Sequence, residues 1–149
     1  SKDNGIDVEG VAADAEYLYF GLRGPVLRGH ALIVRTDWKG QNPAFHFLSL
    51  DGLGVRGLVR EPSGKGFYIL AGPTMELDGP FAIYAWDGHT SVFDGDEGRS
   101  LARLTDVPSD AKTHPEGLFM WRGALCTLAD GPKGGAPGCA TSSSLHWPL

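Results

Sequence analysis

Apolar residues in this chain fall in short runs, and glycine or proline punctuates nearly every run. The runs carry many aromatic and β-branched residues and stop at turn formers, which is the pattern of β-strands. One order of segments recurs three times. Val8-Glu9-Gly10-Val11 leads to Tyr17-Leu18-Tyr19-Phe20-Gly21 and then Gly24-Pro25. Val55-Arg56-Gly57-Leu58 leads to Phe67-Tyr68-Ile69-Leu70-Ala71 and Gly72-Pro73. Pro115-Glu116-Gly117-Leu118 leads to Ala124-Leu125-Cys126-Thr127-Leu128 and Gly131-Pro132.

Each copy opens a module of strands. The first predicts strands over 7–12, 16–22, 31–34 and 44–50, closed by Asp51-Gly52. The second predicts strands over 56–60, 66–71, 81–86 and 100–104, with a tight turn at Glu61-Pro62-Ser63-Gly64. A long polar connection, 105–114, follows. The third has two strands, 117–121 and 124–128, joined at Arg122-Gly123; its outer strands are not recognisable. Past Gly131-Pro132 the pattern dissolves into Gly, Pro, Ala and Ser. Disorder fits the end of the tail, and so does a late strand near Leu145-His146-Trp147. Residues 1–5 are polar and expected to fray.

The interval from Gly10 to Gly57 matches the roughly 40–50 residues of a four-stranded propeller blade. That from Gly57 to Gly117 is wider by the long connection. The expected fold is therefore all-β: a β-propeller-like single domain of about two and a half antiparallel blades, near 6–52, 53–106 and 114–132, with an irregular tail over 133–149. A β-sandwich with irregular strands is the alternative. So few blades cannot close a ring, since natural propellers have roughly 4–8. The expected partner is a missing N-terminal half or another copy of the chain.

The segments Val8-Glu9-Gly10-Val11, Phe20-Gly21-Leu22-Arg23-Gly24-Pro25, Gly54-Val55-Arg56-Gly57-Leu58, Leu70-Ala71-Gly72-Pro73, Ile83-Tyr84-Ala85-Trp86 and His114-Pro115-Glu116-Gly117-Leu118 resemble an uncharacterised bacterial family of the DUF3616 type. The resemblance covers about residues 5–132 and looks like the C-terminal half of that family's domain. It implies a propeller-like fold and brings no activity and no catalytic residues. More distantly the chain is similar to phytase-like and esterase-like propellers, which also carry Glu-Gly at blade starts.

Composition narrows the partners. The net charge of −5 is mild and Lys and Arg do not cluster, so a nucleic-acid partner is not expected. No apolar run nears the roughly 18 residues of a membrane span. The chain starts at Ser1 without a signal-peptide pattern and reads as an excised or processed piece. With two cysteines, a buried Cys126 thiol is favoured over a bridge to Cys139, and the redox compartment stays open.

Glu9, Arg56 and Glu116 hold equivalent places in the three copies. On the innermost strand of a blade they would line a central channel, where charge is costly unless paired. They read either as the wall of a site for a small charged ligand or as partners of one another that pack the inner strands. Arg23, between glycines, fits a bidentate grip on an anion or a brace for Glu9. His114 fits a general base, a metal ligand or an ordinary loop residue. Asp130 caps a turn. Asp94, Asp96 and Glu97 suggest a calcium loop without its required spacing, so an acidic turn is the better reading. There is no Gly-x-Ser-x-Gly elbow, P-loop or Cys-x-x-Cys. The function expected is a binding or scaffold module with a charged channel and no cofactor. The alternative is a phytase-like or esterase-like metal-dependent hydrolase using Ca²⁺.

Overall fold

The computed structural model describes residues 5–75, 78–95, 100–130, 138–140 and 147–149. Its elements are β1 (Asp7–Ala13), β2 (Tyr17–Gly24), β3 (Ala31–Asp37), β4 (Ala44–Leu48), β5 (Gly54–Arg60), β6 (Phe67–Gly72), β7 (Phe81–Trp86), a short 3-10 helix (Val92–Asp94), β8 (Leu101–Val107), β9 (His114–Trp121), β10 (Ala124–Asp130) and β11 (Gly138–Ala140). The fold is all-β. Three antiparallel sheets follow one another along the chain, in the orders β1-β2-β3-β4, β5-β6-β7-β8 and β9-β10-β11. Among the described residues no helix is long and apolar enough to cross a membrane.

The strands form where turn chemistry closes the apolar runs. At Asp51-Gly52 both residues take positive φ, so β4 ends at Leu48, short of the expected Leu50. Two expectations need correction. The connection over 105–114 is shorter than expected: β8 continues to Val107, whose partner is Phe81, and β9 already begins at His114. Thr105 and Asp106 are exposed on this edge strand, which hid it from a search for apolar runs. The third sheet also has an outer strand, β11, whose Gly-Cys-Ala sequence carries no strand signal of its own. Leu145 and His146, part of the expected late strand, lie outside the described residues. Trp147 packs edge-on against Tyr68, with ring centroids 5.3 Å apart.

β11 also corrects the cysteine reading. Cys126 on β10 stands directly opposite Cys139 on β11, and the two form a disulfide. Cys126 is buried as expected, but not as a free thiol.

The sheets stack through the faces of their first strands. A Cβ on Gly10 would come within 2.9 Å of Val55 Cγ1 and 3.0 Å of Leu58 Cβ; one on Gly21 would come within 2.4 Å of Val55 Cγ1. One module later, a Cβ on Gly57 would meet Leu118 Cβ at 3.0 Å. The recurrent Gly therefore opens a slot that a branched side chain of the next first strand fills.

Candidate functional site

The register of the sheets explains where the charges go. β1 pairs Val8 with Leu22 and then Gly10 with Gly21, leaving Glu9 as the extra residue of a bulge. β5 skips Arg56 in the same way, between Val55 and Gly57. β9 skips Glu116, between Pro115 and Gly117. Arg23 is the skipped residue of β2, between Leu22 and Gly24. A bulge breaks alternation and re-aims one side chain. Here it turns four charged side chains toward one another, while the flanking Leu22, Val55 and Pro115 stay buried.

Arg56 is the hub and only 5% of its side chain is exposed. Its Nη2 donates to Glu116 Oε1 at 2.8 Å and its Nη1 to the Pro73 carbonyl at 3.3 Å. Its Nε lies 2.9 Å from Glu9 Oε2 as an ion contact, too misaligned for a hydrogen bond. Arg23 Nη1 donates to Glu9 Oε1 at 3.1 Å and stands 3.7 Å from Asp7 Oδ2. The row thus runs Asp7, Arg23, Glu9, Arg56, Glu116, with charges alternating. Arg56 is buried and Arg23 is 13% exposed; Glu116 and Asp7 are 41% and 47% exposed. The carboxylates outnumber the cations and hold the solvent side.

His114 lies beside this row and not in it. Its ring stacks on Phe81, with centroids 6.3 Å apart, and Nε2 is 3.2 Å from Asp78 Oδ1. Phe81 is also the ring nearest the Arg56 guanidinium, at 5.7 Å. Sequence alone marks Gly72-Pro73 as a turn and Phe81 as the start of a strand but assigns neither to the site, and Asp78, in the β6–β7 connection, carries no repeat signal at all. Asp130 pairs with His114 in the strand register. Of the suspected calcium loop, Asp94 accepts the Ser91 N–H at 2.7 Å; Asp96 and Glu97 lie outside the described residues.

A separate cleft of about 220 Å³ opens at the other ends of the first two sheets, among Asp14, Tyr17, Tyr19, Arg35, Arg60 and Phe67. Tyr19 donates to Asp14, and the Arg35 guanidinium lies over the Tyr17 ring at 4.2 Å. Burial raises the Asp14 carboxyl, but bonds from the Glu16 and Tyr17 amides and from Tyr19 outweigh it and hold the pKa below the ordinary value. The polar groups of this cleft largely satisfy one another.

The family described as a protein of unknown function (DUF3616) matches residues 1–130. The chain belongs to this family. No curated protein and no solved structure matches it. Every member of the charged row lies inside the matched residues, and the disulfide partner Cys139 lies outside them.

Proposed function

We propose that the chain supplies consecutive blades of a β-propeller-like binding module, near 6–52, 53–106 and 114–132, whose first-strand bulges line a charged channel for a small cationic group. The observation that carries this reading is the bulge at Glu9, Arg56 and Glu116, the same position in three successive sheets. Packing alone does not require a bulge at a charged residue each time. The guanidinium groups of Arg23 and Arg56 fix the carboxylates, and the more exposed Glu116 and Asp7 face the solvent. That polarity suits a protonated amine or guanidine better than an anion. The ring is completed by further sheets, from the same family of modules or from another copy.

The hydrolase reading has less to rest on. Glu9 and Glu116 both turn a carboxylate oxygen to Arg56. Among the described residues no three His, Cys, Asp or Glu side chains are grouped to hold a metal ion. Ca²⁺ takes about 6–8 oxygen ligands, and this row does not fit it.

Titration calorimetry with an alkylammonium ion, with Ca²⁺ as the comparison, tests the proposal on the wild type and on Glu116→Gln. The expected result is ammonium binding that the variant loses while its melting temperature stays close to wild type, because Glu116 is 41% exposed and the substituted amide oxygen can still accept from Arg56. A variant destabilised by about 3–5 kcal/mol, the range for breaking a buried pair, beside a wild type that binds no cation, would make the row a packing device only.

A further inference from the structure

In the cleft at the other ends of the first two sheets, the two guanidinium groups are the exception to the mutual pairing. Elsewhere Arg23, Arg56 and Arg103 each contact a carboxylate. Arg35 comes from β3 in the first sheet and Arg60 from the end of β5 in the second, and both line the cleft. Among the described residues neither forms an ion pair. The carboxylates at this end are committed to turns. Asp14 accepts from the Glu16 and Tyr17 amides at 2.8 Å and from the Tyr19 hydroxyl. Asp87 accepts from the His89 and Thr90 amides at 3.0 and 2.9 Å and from the Thr90 hydroxyl. Glu61, next in the chain to Arg60, accepts from the Ser63 and Lys65 amides at 3.0 and 3.2 Å. Each of the three carboxylates thus shapes the local backbone, and the two cations are left unmatched. Arg35 is also held in place. Its guanidinium lies over the Tyr17 ring at 4.2 Å, and stacking on a ring face leaves the N–H edge open to an acceptor. Arg60 lies at the rim beside Gly64, where a Cβ would stand 3.1 Å from its Nη2.

We infer that this cleft takes a small oxyanion, a carboxylate or phosphate group, between the guanidinium groups of Arg35 and Arg60. Planar N–H forks grip such groups bidentately. One fork comes from each sheet, so the site is made where the two sheets meet. Its volume of about 220 Å³ lies below the roughly 300–1,000 Å³ of pockets for drug-sized ligands, which suits the anionic group of a small molecule. The inference does not rest on the channel reading. The cleft is built from other residues and takes the opposite charge.

Titrations with sodium phosphate and with sodium acetate at constant ionic strength, followed by amide chemical shifts, test this on the wild type, Arg35→Gln, Arg60→Gln and Lys39→Gln. The expected result is a saturable shift of the Gly64 and Gly88 amides in the wild type. Either arginine substitution should weaken binding at least about tenfold, the loss of a charge-assisted hydrogen bond. Lys39→Gln, which removes an exposed charge outside the cleft, should leave it unchanged. Tighter binding of phosphate than of acetate assigns the site to a phosphate group, and the reverse to a carboxylate. Arg60 is exposed, so its variant keeps the fold and tests the site even if Arg35→Gln, which loses the Tyr17 contact, does not fold. No saturation with either anion overturns the inference, as does binding that survives Arg60→Gln or that Lys39→Gln weakens equally.

Discussion

The contact between the first and second sheets and that between the second and third come from the same repeat, yet they are filled differently. The first holds a deep cluster in which Ile33, Leu48, Leu50, Val55, Ile69 and Trp86 are essentially inaccessible. Tyr19, Phe67 and Trp86 meet within it, with centroids 4.5, 5.8 and 6.2 Å apart. The second has four buried members, Tyr68, Leu70, Ile83 and Leu125, ringed by residues that are only partly covered. Where apolar depth is lacking, the seat of Leu118 against Gly57 and the Arg56 to Glu116 pair hold the third sheet to the second, while the disulfide ties β11 to β10 within it. A repeat therefore fixes geometry without fixing stability. Cohesion falls from the first contact to the second, and the third sheet should open before the other two.

Trp86→Ala gives the largest expected effect. Its indole is fully buried, donates to the Thr90 carbonyl at 2.8 Å and touches three other rings. Removing it should cost about 3–5 kcal/mol and expose the amides of both flanking sheets together in hydrogen exchange. Leu125→Ala should cost less, about 2–3 kcal/mol from the lower part of the range for such truncations, with lost protection confined to β9 and β10. Equal costs spread over the whole chain would erase the contrast between the two contacts.

The sequence made the strands readable and left the Gly slots and the site half hidden, for physical reasons. Ala31-Leu32-Ile33-Val34 and Phe81 to Trp86 are covered on both faces, so continuous apolar runs betrayed them. The equivalence of Glu9, Arg56 and Glu116 was also legible. Their bulges were not, because a one-residue slip is a property of pairing and neither partner strand reveals it alone. With hindsight the Gly that follows each of the three charged residues is the signal, since it breaks the expected alternation where the chain needs room. Cys139 was unreadable for a similar reason: β11 exists by pairing with β10, and its own residues do not demand a strand.

A pH titration separates the two contacts again. His46 lies in the first sheet against Trp86, centroids 5.2 Å apart, and its Nε2 has no hydrogen-bond partner. Burial, followed by the charge of Arg35, lowers its pKa below the ordinary imidazole value. The unfolded chain then binds a proton that the folded chain resists. Stability is full above the ordinary value near 6.5 and falls as the pH drops through it, by at most about 1.4 kcal/mol per pH unit. Chemical denaturation across this range should show that slope in the wild type and lose it in His46→Phe. An unchanged slope in the variant would assign the titration to another group.

The smallest expected effect comes from an ion pair that looks, on paper, like the buried one. Arg103 on β8 contacts Asp51 and Asp106 and sits near the Tyr84 hydroxyl, as Arg56 contacts Glu9, Glu116 and a carbonyl. The difference is water. Asp51 and Asp106 are 64% and 81% exposed, so their charges are solvated whether or not Arg103 is present. Tyr84, pushed up to about 12 by burial and by Asp51, keeps its hydrogen bond to that carboxylate after the guanidinium is gone. Arg103→Ala should therefore lower the unfolding free energy by no more than about 1 kcal/mol, and less at high salt. Arg56→Ala, which strips the buried hub from two carboxylates, should cost several times that. If the two substitutions cost the same, burial is not what distinguishes the row at the first-strand bulges from an ordinary surface pair.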